Sequence, residues 1–183
     1  IKMDRPECVE KSTENEAIVM FGQLKDGSGG NEGMKYISKL SVQNDGGDVQ
    51  YVDNEIVVRN ANDLTLIFSS ATNYKNENYV YFVDEMMDEA KSHSFNYLKK
   101  NHINSYQELF NRVEVDFGEA ITDNLSIDDR LFEFQDEDDP QLAALYFQYG
   151  RYLFISSTRE GLLPPNLQGL WANTIQTPWN GDY

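Results

Sequence analysis

Asp139-Pro140-Gln141-Leu142-Ala143-Ala144-Leu145-Tyr146-Phe147-Gln148-Tyr149-Gly150-Arg151-Tyr152-Leu153 carries the clearest local signal in this 183-residue chain. An aspartate ahead of a helix accepts a hydrogen bond from an amide of the first turn. Proline fits that turn because no amide donor is needed there. Leu142, Leu145, Tyr146, Tyr149 and Leu153 follow at helical spacing, so the pattern predicts a helix starting at Asp139-Pro140. Beyond Ser157 the chain turns loop-like, with Gly161, Pro164, Pro165, Gly169, Pro178 and Gly181.

Upstream of this helix the pattern stays helical for some distance. Ser126 reads as the cap of a short helix through Leu131. Val113-Glu114-Val115-Asp116-Phe117 alternates like a short exposed strand. Ser105-Tyr106-Gln107-Glu108 fits a capping box and predicts a helix start. Phe82, Met86, Met87, Ala90, Phe95 and Leu98 are spaced for one face of one or two helices. Before Asn73 the character changes. Strands are expected around Ile18–Phe21, Tyr36–Val42, Val49–Val52, Glu55–Val58 and Leu64–Phe68. The turns between them are Asn44-Asp45-Gly46-Gly47 and Asp53-Asn54, and Gly27 to Gly33 reads as a loop. Strands first and helices after argue for an α+β chain and against alternating βα units.

The chain has 15 Lys plus Arg against 31 Asp plus Glu, a net charge of −16. Such a surface repels phosphate backbones and anionic headgroups, so neither nucleic acid nor membrane is expected as a partner. No apolar run is long enough to span a membrane. Cys8 is the single cysteine, which rules out an intrachain disulfide. Residues 1–10 lack the apolar core of a signal peptide, so any export signal is expected upstream.

Phosphate-binding glycine loops, Cys/His zinc clusters and nucleophile elbows are absent from the sequence, and no metal or cofactor is expected. His93 and His102 sit in or at the end of amphipathic helix, where surface histidines are common. The acidic run Glu133, Asp136, Glu137, Asp138 and Asp139 lacks the glycine turn of a calcium loop and reads as a solvated segment ending in a helix cap. The stretch from Asn166 to Tyr183 is different. Asn166, Gln168, Trp171, Trp179, Asn180 and Asp182 mix amides, a carboxylate and aromatics at high density. Sugars need apolar platforms for C–H faces and oriented polar groups for hydroxyls, and this mixture supplies both. Trp and Asn also stabilise long buried loops, and composition alone does not separate the two roles.

Phe147-Gln148-Tyr149-Gly150-Arg151-Tyr152-Leu153, then Leu163-Pro164-Pro165-Asn166-Leu167-Gln168-Gly169-Leu170-Trp171, then Pro178-Trp179-Asn180-Gly181-Asp182-Tyr183 form a long, ordered set. Together they resemble the start of the catalytic barrel in glycoside hydrolase family 95, whose typical members are α-L-fucosidases. Arg5-Pro6-Glu7, Gly33-Met34-Lys35-Tyr36, Gly46-Gly47, Ala71-Thr72-Asn73-Tyr74 and Asn111-Arg112-Val113 look like that family's amino-terminal region. Glu160 and Pro165 depart from the Pro and Ala more usual there. The resemblance implies part of an antiparallel β-sandwich over residues 1–72, a helical linker over 73–118, and the first helix and loop of an (α/α)6 barrel over 119–183.

The resemblance also implies inverting hydrolysis of terminal α-L-fucosides, typically α-1,2-linked, in a fucosylated oligosaccharide or glycan. Some members prefer α-L-galactosides. The family's acid is a Glu deep in the barrel, and an Asn pair assisted by an Asp holds the water. That pair normally follows the Trp-Asn-x-Asp-Tyr element, so no catalytic residue is carried over to this chain. Asn166, Gln168, Trp171, Trp179, Asn180 and Asp182 remain the candidates for lining or supporting the sugar pocket. A periplasmic or extracellular location is implied by the family and its polymeric substrates. The competing class is a non-catalytic carbohydrate-binding module. The aromatic-rich close at Tyr183 reads against it, because autonomous domains tend to end in exposed polar segments. The remainder of a longer parent chain is accordingly expected as a partner.

A barrel helix without its neighbours leaves the Leu142/Leu145/Tyr149/Leu153 face uncovered. The isolated 183-residue chain is expected to self-associate. Light scattering that returns a monodisperse monomer at high concentration would contradict this.

Overall fold

The computed structural model describes residues 1–25, 33–118, 124–135, 138–158, 160–161, 164–165, 170–172, 174 and 177. The chain is α+β, with strands before helices. Its elements are β1 (Cys8–Glu14), β2 (Ala17–Gln23), β3 (Lys35–Asp45), β4 (Asp48–Val52), β5 (Glu55–Arg59), β6 (Asp63–Thr72), α1 (Tyr79–Lys91), α2 (Phe95–Phe110), α3 (Ile127–Glu133) and α4 (Pro140–Ser157). They fall into two compact units, Ile1–Lys99 and Lys100–Tyr183.

The first unit is built on an antiparallel sheet of order β1-β2-β3-β6, with β4 and β5 forming a separate hairpin. The strands β2 and β3 are covered on both faces, while Leu64, Leu66 and Phe68 of β6 stay exposed. On one side Ile18, Met20, Tyr36 and Leu40 meet Met3 and Ile56, with Val49, Tyr51 and Val58 of the hairpin packed around them. On the other side Val19, Ile37 and Ile67 meet Val83 and Met87, one turn apart on α1. This explains why Ile18-Val19-Met20-Phe21 does not alternate. A strand covered on both faces has apolar side chains pointing both ways. Polar contacts fix α1 on its face. Lys39 pairs with Asp84, and the Gln43 side-chain amide donates to the Lys91 carbonyl at 2.9 Å, near the helix end.

The Asp53-Asn54 turn forms as read, while in Asn44-Asp45-Gly46-Gly47 only the glycines leave the ladder, because Asn44 and Asp45 pair with Leu64 and Asp63 as the end of β3. Asp53 and Asn54 both have positive φ, 51° and 61°, which gives a two-residue link whose twist suits the β4–β5 hairpin. Gly46 and Gly47, at φ 68° and 70°, lie between β3 and β4. The strand β1 was not expected from the sequence. Its hairpin with β2 turns through Asn15 and Glu16, at φ 48° and 56°, and a glutamate is a poor marker for a left-handed position. The loop read at Gly27 to Gly33 lies outside the described residues except for Gly33 itself.

One helix start and one strand need correction. Ser105-Tyr106-Gln107-Glu108 does not start a helix, because it lies inside α2. The start is at Ser94, whose hydroxyl accepts from the Tyr97 amide at 3.3 Å and whose carbonyl accepts from Leu98 at 3.1 Å. The box pattern was present, but the helix already ran through it. Residues 113–117 form no strand. Val113 and Phe117 are exposed and no strand pairs with this segment, so alternation alone had no ladder to join. The cap at Ser126 is as expected, accepting from the Asp129 amide at 3.2 Å, and α3 runs on to Glu133.

Gly22 lies opposite Tyr36 in the β2–β3 ladder, and a methyl group there would enter the Tyr36 ring, which is buried. The Arg5 guanidinium lies 5.5 Å from the centroid of that ring. Gly22→Ala is therefore expected to destabilise the first unit by about 1–3 kcal/mol, as overpacking does. Urea denaturation followed by circular dichroism checks this, and an unchanged midpoint contradicts it.

Candidate functional site

The helix α4 precedes the segment that carries the sugar-binding candidates. Asp139 performs two tasks at its start. Its Oδ1 accepts from the Leu142 amide at 2.9 Å, capping the helix. The same carboxylate is gripped by Arg130 of α3, with Nε to Oδ2 at 2.8 Å and Nη2 to Oδ1 at 2.9 Å. Two parallel bonds from a planar guanidinium fix direction as well as distance. Asp139 thus belongs to the architecture. The Arg130 guanidinium beside it holds its carboxyl below the usual carboxylate range.

The end of α2 is tied to α4 in the same chemical manner. Arg151 Nη1 donates to the Val113 carbonyl at 2.9 Å and to Gln148 Oε1 at 2.7 Å. Its Nη2 reaches the Phe110 carbonyl at 2.8 Å and the Leu109 carbonyl at 3.4 Å. The guanidinium carbon lies 4.7 Å from the centroid of the Phe110 ring. Tyr106 of α2 meets Tyr152 of α4 edge-on at 6.0 Å. Sequence reading gave no role to Arg130 or Arg151. Arg151 lies within the Phe147–Leu153 motif, but its partners are 38 to 42 positions away and leave no mark in that motif.

Two cavities flank α4. One, of about 580 Å³, lies between α3 and α4 and is lined by Ile127, Leu131, Phe134, Leu145 and Tyr149. The other, of about 1000 Å³, runs from the end of α2 along α4 past Leu109, Val113, Phe147, Gly150 and Phe154. Their walls are overwhelmingly apolar. A sugar site needs convergent polar groups, so these surfaces suit helix packing better than carbohydrate. Within the expected uncovered stripe, Leu142 is buried while Leu145 and Tyr149 stand open.

Of the six sugar-binding candidates, Trp171 alone is described, and it is exposed. Asn166, Gln168, Trp179, Asn180 and Asp182 lie outside the described residues. His93 stacks on Tyr97 at 4.2 Å and His102 faces Tyr106 at 6.4 Å. In the acidic run, Asp136 and Glu137 also lie outside the described residues.

Residues 94–183 match the glycosyl hydrolase family 95 catalytic domain. The chain belongs to glycoside hydrolase family 95. Residues 1–77 match the N-terminal domain of glycosyl hydrolase family 65. The family 95 chain is 34% identical to alpha-L-fucosidase 2 of Arabidopsis thaliana over 167 residues, covering 82% of this chain and 20% of that protein. It is 36% identical over 138 residues to the probable alpha-fucosidase A of Aspergillus niger, covering 66% of this chain and 17% of the relative. The corresponding protein of Aspergillus oryzae is 32% identical over 145 residues, 70% of this chain and 20% of the relative. The chain thus spans about a fifth of the length of the curated relatives it matches.

The Arg130–Asp139 pair predicts an acid dependence. Asp139 has a lowered pKa when folded, so its stabilising effect is complete above the unfolded value of about 3.9. It is lost as pH falls through the lowered folded value. Asp139→Asn keeps a competent cap but removes the charge. This variant is expected to melt at a lower temperature than the wild type at pH 7. The gap should close as the pH drops from about 4 towards full protonation of the wild-type carboxyl. A gap independent of pH would show that the ion pair contributes nothing.

Proposed function

We propose that this chain is part of an inverting glycoside hydrolase that releases terminal α-L-fucose, typically α-1,2-linked, from oligosaccharides or glycans. The observation that carries the reading is the family 95 catalytic-domain match over residues 94–183, joined to relatives that bear the name alpha-fucosidase. Residues 1–72 are read as the end of an amino-terminal β-sandwich domain, 73–118 as a helical linker, and 119–183 as the start of an (α/α)6 barrel. Asn166, Gln168, Trp171, Trp179, Asn180 and Asp182 are read as the residues that line or support the sugar pocket.

In an inverting hydrolase an acid protonates the leaving oxygen while the glycosidic bond breaks. A water activated on the opposite ring face attacks the anomeric carbon. An α-fucoside then yields β-L-fucose first. The acid, the Asn pair and the Asp that the family uses have no matching positions in this sequence, so the 183-residue chain by itself is read as inactive. Export of the parent to the periplasm or beyond is part of the same reading.

The test is fucose release from 2′-fucosyllactose by the natural-length protein, with the 183-residue chain alongside. Release by the long form alone, with β-L-fucose as the first anomer seen by proton NMR, is the expected result. Release by the short chain overturns its assignment as inactive, and α-L-fucose as first product overturns inversion. Turnover of an α-L-galactoside alone would move the substrate to the galactose analogue.

A further inference from the structure

The strand β6 stands at one end of the order β1-β2-β3-β6, and its outer edge pairs with no strand among the described residues. Such an edge presents a row of unpaired amides and carbonyls, and proteins commonly blunt it with lysine, proline or a bulge. The opposite edge, β1, is blunted in this way. It carries Glu10, Lys11 and Glu14, and its register shifts between Cys8 and Glu10. β6 has neither device. Asp63 is its one charged residue, it contains no proline, and it pairs with β3 in unbroken register over ten residues.

One face of β6 is also apolar and open. Ile67 is buried against Val83 and Met87 of α1. Leu64, Leu66 and Phe68 point the other way and are 40%, 53% and 60% exposed. Leu40, opposite Phe68 in the ladder, is buried with Ile56 of the β4–β5 hairpin. The cover on this face therefore stops one strand short of the edge.

The strand is complementary to itself. In an antiparallel pair with a two-fold axis at Leu66, Leu66 meets Leu66 of the second copy and Leu64 meets Phe68. Apolar groups face apolar groups, and Asp63 falls opposite Ser69, so no like charges meet. With a net charge of −16 two copies repel each other, and the edge at β6 is where that repulsion is least. A phenylalanine buries at most about 150–250 Å², so three side chains per copy fall short of the about 1,200 Å² of a standard interface. Main-chain bonds of the added ladder supply the remainder, and the dimer is weak.

We propose that β6 is the docking edge for a second copy of this chain, joined antiparallel about Leu66 into one continuous sheet. This edge belongs to the first unit and is separate from the uncovered face of α4 in the second. Association is expected to strengthen as salt rises from about 0.05 M to about 0.5 M, because screening weakens the repulsion between copies.

The experiment uses the 183-residue chain carrying Cys8→Ser, which removes its single native thiol, and one introduced cysteine. Directly opposed residues have Cα atoms about 4.5–5.5 Å apart, a span that a disulfide bridges. Under mild oxidation Leu66→Cys is expected to give a linked dimer by itself. Leu64→Cys and Phe68→Cys are expected to link only when mixed with each other. In the wild-type background Leu66→Lys is expected to lower the association constant about tenfold or more in sedimentation equilibrium, with an unchanged circular dichroism spectrum. Absence of the Leu66→Cys dimer in a folded chain overturns the proposal. Equal linking at all three positions does so too, because it marks collision without register. Association that Leu145→Glu abolishes and Leu66→Lys leaves intact places the contact on α4 and likewise overturns it.

Discussion

The first unit depends on the burial of β2 and β3 from both sides. Ile18 and Ile37 have no solvent exposure, and they point to opposite faces of the same sheet. Each contributes about 1.5–3 kcal/mol by leaving water, and neither could do so if its own layer were missing. The β4–β5 hairpin covers the first face and α1 the second. The short connections fit this arrangement. A hairpin leaving β3 through Gly46-Gly47 can fold back over the sheet, and β6 returns beside β3 with α1 following. Gly22 is a local consequence, because the Tyr36 ring occupies the space a side chain would need.

The second unit is held by different physics. Its helices bury few side chains: α2 and α3 have none among the described residues, and α4 has Leu142, Ala144 and Ser157. Directional polar contacts between helix ends take a larger share. Arg130 fixes the start of α4 through its own capping residue, and Arg151 fixes the end of α2 through its free carbonyls. Such bonds set the direction of a helix better than they set its stability. The open apolar walls beside α4 have the character of helix-packing surface.

Much of this was legible from local rules. Asp139-Pro140, Ser126 and Asp53-Asn54 act as read, because a cap or a tight turn is decided by residues within three or four positions of one another. Family membership was legible as well, since the ordered motif set from Phe147 to Tyr183 needs no folded structure to be recognised. Ser105 and Val113 misled for the same reason. A capping box marks a possible start, and whether a helix is already running depends on Ser94, eleven positions earlier. Alternation marks a possible strand, and a strand needs a partner ladder.

By itself, then, the sequence determined that strands precede helices, the turn at Asp53-Asn54, the caps at Ser126 and Asp139, and the family. Tertiary structure alone decided which face each strand presents to which layer. It also decided that Glu16 would sit at a left-handed turn, and that Arg130 and Arg151 would bind groups 9 and 38 to 42 positions away. The reason is range. Capping and turn propensities act through neighbouring backbone atoms, so short patterns encode them. A guanidinium meeting a distant carbonyl, or an isoleucine meeting a second layer, depends on where the whole unit brings the chain.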